Sequence, residues 1–98
     1  MSDQTLEPIE FTQFLLPHGQ RRQTLIARPK AIAEKATAIR EVGGKFEIEI
    51  LSNGIISMEV VLNEDSLSMK QCQNDRSVPD AVDELVIESH EALFPEAK

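Results

Sequence analysis

Alternation of apolar and polar positions is cleanest between residues 45 and 60. Phe46, Ile48 and Ile50 alternate with Lys45, Glu47 and Glu49, the period of two expected of a strand buried on one face. Apolar positions resume at Ile56, Met58 and Val60, so the two runs make a hairpin. Asn53-Gly54 invites a two-residue turn, but that register sets Ile48 opposite Glu59. A three-residue loop, Ser52-Asn53-Gly54 with Gly54 left-handed, pairs Phe46 with Val60, Ile48 with Met58 and Ile50 with Ile56, and one face is then wholly apolar. The same test on the next strand favours a four-residue loop at 63–66. It pairs Leu62 with Leu67 and Val60 with Met69 inside, and Glu59 with Lys70 outside, where the cation offsets the like charges of Glu47 and Glu59. Met58 and Met69 then belong to the core, and Cys72 falls near the outer face as a small filler.

Upstream, residues 9–16 are rich in strand formers, Pro17-His18-Gly19-Gln20 breaks the run, and residues 22–27 read as a returning strand. A four-residue and a six-residue loop are both compatible, and each leaves an apolar side chain outward. A helix follows from Pro29 to about Val42, with Ile32, Ala36 and Ile39 as its buried stripe and Gly43-Gly44 as its left-handed stop. After a polar loop at 73–77, Ser77-Val78-Pro79-Asp80 resembles a capping box opening a second helix. Val78, Val82, Leu85, Ala92 and Leu93 mark its buried face, Asp80, Asp83, Glu84, Glu88 and Glu91 its acidic remainder, and Pro95 its end.

The order is β-β-α-β-β-β-α, without repeats or an internal linker. It predicts a two-layer α+β fold: a five-stranded, largely antiparallel sheet with two helices on one face. The link through the first helix is long enough for a crossover that makes one strand pair parallel. Residues 1–7 are expected as a flexible tail, 8–95 as a single domain and 96–98 as a short C-terminal tail. Ninety-eight residues leave no room for a second core.

Charge divides the chain unevenly. Residues 1–45 hold seven cations against five anions, residues 46–98 three against twelve, and residues 21–45 alone carry seven against two. One cysteine excludes an intramolecular disulfide and a multi-cysteine zinc site. Four Phe with no Trp or Tyr argue against a base-stacking platform. No segment approaches the ~18 apolar residues of a membrane span. The acidic, polar N-terminus resembles neither a secretory signal nor a transit peptide, so the cytoplasm is the expected compartment.

The candidate binding residues are His18, Arg21, Arg22, Arg28 and Lys30. A glycine beside one His and two Arg can grip a phosphate or carboxylate, because guanidinium forks bind such groups bidentately. The plainer reading is a hairpin tip whose charges keep a sheet edge soluble. With Lys35, these residues outline a basic strip over residues 18–35, the footprint expected of nucleic-acid binding. Its alternative use is pairing with the acidic second helix, in the same molecule or in a second copy. Neither His18 nor His90 lies in a triad or metal-ligand spacing, and no nucleophile-elbow, phosphate-loop or paired-cysteine motif occurs. No catalytic residue, metal or cofactor is therefore expected.

These features suit a small, cytoplasmic, non-catalytic protein of a type common among bacterial and phage chains. The expected role is a protein–protein interaction or regulatory module, with homodimerisation through a sheet edge or complementary charges as one form of contact. A nucleic-acid-binding module using residues 18–35 is the alternative. An enzyme or anion-binding protein centred on His18, Arg21 and Arg22 is the second.

Overall fold

A computed structural model describes residues 5–15 and 19–96. The strands are β1 (Leu6–Leu15), β2 (Gln20–Pro29), β3 (Lys45–Ile50), β4 (Ile56–Leu62) and β5 (Asp65–Cys72), and the helices are α1 (Lys30–Glu41) and α2 (Val78–Leu93). The fold is α+β in the expected element order. The sheet order is β2-β1-β3-β4-β5, and the sheet is mixed rather than largely antiparallel, because β1 and β3 run parallel through Thr12–Glu47, Gln13–Ile48 and Phe14–Glu49. The β2–α1 link carries the chain past β1, which makes that parallel pair possible.

Both helices lie on one face, where Ile9, Phe11, Phe46, Ile48, Met58 and Val60 meet Ala33, Ala36, Ile39, Val82, Leu85 and Val86. The rings of Phe11 and Phe46 pack edge to face with centroids 5.3 Å apart. The β3–β4 register is the expected one, from Phe46–Val60 to Ile50–Ile56, with Gly54 at φ +87°. Ile50, at the strand end beyond the helices, is half exposed.

Strand β5 departs from expectation. Asn63 and Glu64 both adopt left-handed backbone, so the turn between Leu62 and Asp65 has two residues rather than four. A bulge opposite Val60 and Val61 absorbs Leu67, and β5 shifts by one position. Lys70 therefore faces α2 and meets Glu88, to which Ser68 also donates a hydrogen bond of 3.3 Å. Cys72 is buried opposite Ile56, while Met69 is exposed opposite Glu59. The shift replaces a methionine in the core with a cysteine, and leaves the Glu47–Glu59 pair without the lysine expected beside it.

Smaller corrections follow from packing. Strand β1 begins at Leu6, so the last two residues of the expected tail are paired with Pro29 and Arg28. On α1 it is Ala33 that is fully packed, with Ile32 only partly covered. On α2, Ala92 is exposed and the face is completed by Ala81, Val86 and Ser89. Ser77 makes no side-chain cap to α2; Asn74 instead caps the 3-10 turn at Asp75–Ser77 that precedes the helix, its Oδ1 accepting from the Ser77 N–H at 3.1 Å. Helix α1 ends as expected at Gly43, with φ +100°. A Cβ on the following Gly44 would lie 2.5 Å from Ile39 Cγ2, so the chain needs glycine there for close approach as well.

Candidate interaction surface

Strand period places the basic residues before any contact is considered. In β2, Arg21 projects from the face away from the helices, whereas Arg22 and Arg28 project toward the helix side. Arg21 lies over the Phe14 ring, its guanidinium carbon 5.2 Å from the centroid. Arg22 Nε donates to Gln13 Oε1 at 3.3 Å, and Thr24 donates to the same oxygen at 2.8 Å, satisfying a glutamine that is 8% exposed. Six residues further on, about 20 Å along the strand, Arg28 makes two 2.7 Å hydrogen bonds to Asp83 of α2. That pairing raises the Arg28 pKa against the opposing effect of burial.

The expected strip is thus divided. Arg21 and Arg22 stand at one end of β2 on opposite faces, Arg28 is engaged by a carboxylate at the other, and Lys30 is exposed at the first residue of α1. His18 lies outside the described residues. The pairing of the basic segment with the acidic second helix occurs within the molecule, through Arg28 and Asp83.

Among the described residues no helix or strand packs on the sheet face away from the helices, although Arg40 of α1 reaches Glu10 there, its guanidinium donating to the carboxylate at 3.3 Å. The β1–β2 corner of this face is apolar: Leu6, Pro8, Leu25 and Ala27 are all exposed, Leu25 to 63% and Leu6 to 57%. Beyond the corner lie Glu10, Glu47, Glu49 and Glu59, and then Met69 at 51% exposure. Phe14, Glu47, Glu49, Ser57, Glu59 and Met69 outline a shallow depression there. Sequence reasoning reached this surface only as an apolar side chain left over by either hairpin loop. With Leu15 paired to Gln20, the outward side chains are Phe14 and Leu25.

Other titratable groups serve packing. His90 is half-buried against Phe94, their rings 4.8 Å apart. Burial holds its pKa below the ordinary value, with Lys35 adding to the effect. Burial raises the Cys72 thiol, which keeps it protonated at neutral pH and a poor nucleophile. Lys70 and Glu88 shift in opposite directions through their shared hydrogen bond, the lysine upward and the carboxylate downward. Among the described residues no group of three His, Cys, Asp or Glu could hold a metal ion, and no helix is long and apolar enough to cross a membrane.

The architecture defines a class, a small two-layer α+β chain with one sheet face left uncovered among the described residues. No family model, curated protein or solved structure matches the chain.

Proposed function

We propose that the chain works in the cytoplasm as a protein-interaction or regulatory module, acting by contact rather than catalysis. One observation carries the reading: the helices cover one sheet face, and the other bears the exposed corner of Leu6, Pro8, Leu25 and Ala27 beside the carboxylates of Glu10 and Glu47. Exposed apolar groups gathered in one place and rimmed by charge are characteristic of contact surfaces.

The test is photo-cross-linking with benzoylphenylalanine at position 25 on the uncovered face or at position 91 on exposed α2, in cells of the source organism. A discrete adduct from position 25 and none from position 91 is the expected result. Equal adducts from both positions, or none from position 25, refute the reading.

A further inference from the structure

The sheet has two outer strands, and they are built differently. Strand β5 carries a bulge at Leu67, turns Lys70 inward to Glu88 and lies under α2. Bulges, inward-pointing charges and helical cover all keep an outer strand from pairing with another chain. Strand β2 lacks the bulge. Its ten residues pair with β1 in unbroken register from Pro29 to Gln20. Its outer backbone groups form a straight row in which only Pro29 has no N–H to offer.

The side chains along this edge are also graded. Gln20, Arg21, Arg22 and Gln23 occupy one end, followed by Thr24, Leu25, Ile26 and Ala27. The strand contains no carboxylate. Arg28 is taken by Asp83, whereas Arg21 and Arg22 are exposed and have no carboxylate partner among the described residues.

Building on the reading of the chain as an interaction module, we propose that β2 receives an extended acidic segment of a protein partner as a sixth strand. Backbone hydrogen bonds supply the attachment, as in other strand additions, and side chains supply the choice. Directly opposed residues in neighbouring strands share a face. Two successive carboxylates on the incoming strand therefore meet Arg21 on one face and Arg22 on the other. Beside Leu25, Ile26 and Ala27 the incoming strand presents apolar, β-branched residues. Charge disfavours a second copy as the occupant. Antiparallel pairing of two β2 strands would bring Arg21, Arg22 and Arg28 of both copies into one interface, with no carboxylate from either strand.

The test is selection from a random dodecapeptide display library on the immobilised full chain, followed by amide NMR with a selected peptide. Adjacent Asp or Glu flanked by Val, Ile or Thr should be enriched, and amide shifts should run along β2 and its neighbour β1. Arg21→Glu with Arg22→Glu should weaken that peptide on the order of tenfold or more, read at a temperature where circular dichroism shows the variant fully folded. Four results overturn the proposal. Selected peptides that shift Glu47, Glu59 and Met69 on β3, β4 and β5 instead refute strand addition and leave the interaction module standing. Mixed-sequence DNA that shifts β2 where acidic peptides do not assigns the arginines to phosphate. A concentration-dependent dimer whose interface maps to β2 gives the edge to a second copy. Failure to select any β2-binding peptide overturns strand addition as well, and the cross-link from position 25 then decides separately whether the module reading survives.

Discussion

Ser89 offers a direct test of the packing. It is wholly buried on α2, and its Oγ has no hydrogen-bond partner. Leu85 and Val86, one turn earlier, are equally buried, so the hydroxyl sits on an apolar stripe. Ser89→Ala deletes only that oxygen. An unsatisfied buried hydroxyl costs roughly 1–3 kcal/mol, and Ala exceeds Ser in helix propensity by about 0.5 kcal/mol. Against this stand the dispersion contacts of one atom, at about 0.1–0.2 kcal/mol each. The expected balance is a gain of about 1–2 kcal/mol, which raises Tm by about 4–8 °C for each kcal/mol in a domain of this size. With no Trp or Tyr in the chain, unfolding is best followed by far-UV circular dichroism in urea. The midpoint should rise at constant m-value. A control, Ser52→Ala in the exposed β3–β4 loop, should stay within about 0.5 kcal/mol. An unchanged or lowered midpoint for Ser89→Ala would refute the reasoning, because it would mean that the hydroxyl is bonded in solution, for example to the Leu85 carbonyl.

Glu64→Gly should stabilise the β4–β5 turn by about 0.5–1 kcal/mol, because the left-handed backbone costs a glutamate more than a glycine; a lower urea midpoint would count against that turn. Asp83→Asn should cost about 1–3 kcal/mol by leaving the partly buried Arg28 guanidinium without its carboxylate. In a double-mutant cycle, Arg28→Met with Asp83→Leu should lose less than the summed single losses, and additive losses would show the pair to be uncoupled. His90 should make stability fall with acidity: its folded pKa lies below the ordinary 6.5, so the unfolded chain binds the proton more tightly. That contribution is intact above the unfolded value and declines as pH drops through the folded one. His90→Gln should flatten the melting-temperature profile between about pH 7 and 5, and an unaltered slope would place the dependence elsewhere.

What was legible in the chain was whatever local pattern decides. The β3–β4 register follows from uninterrupted alternation and a glycine at the one position needing positive φ. The β4–β5 register does not, because two loops differing slightly in length both give acceptable faces. The contact that separates them, Lys70 with Glu88, joins a strand to a helix 18 residues away. Likewise Arg28 reads as part of a basic strip until the fold brings Asp83 to it from across the molecule. The division of Arg21 from Arg22 needed only strand period, once β2 was known to begin at Gln20 rather than Arg22. The uncovered face depends on where both helices lie, which no local pattern specifies.

The parallel ladder of β1 and β3 is only three positions long, yet it is the sheet's join between two units closed by neighbours in sequence. One unit is the β1–β2 hairpin; the other is the β3–β4–β5 meander, and α1 ties them covalently. Each unit closes short loops, whereas the ladder must close a long one and repays that entropy last. Folding should therefore end with the hairpin docking onto the meander. The seam is also where a partial opening severs the fewest backbone bonds, and such an opening would release the hairpin as one piece. Under a pulling force applied across the sheet, the molecule should part there before any hairpin unzips.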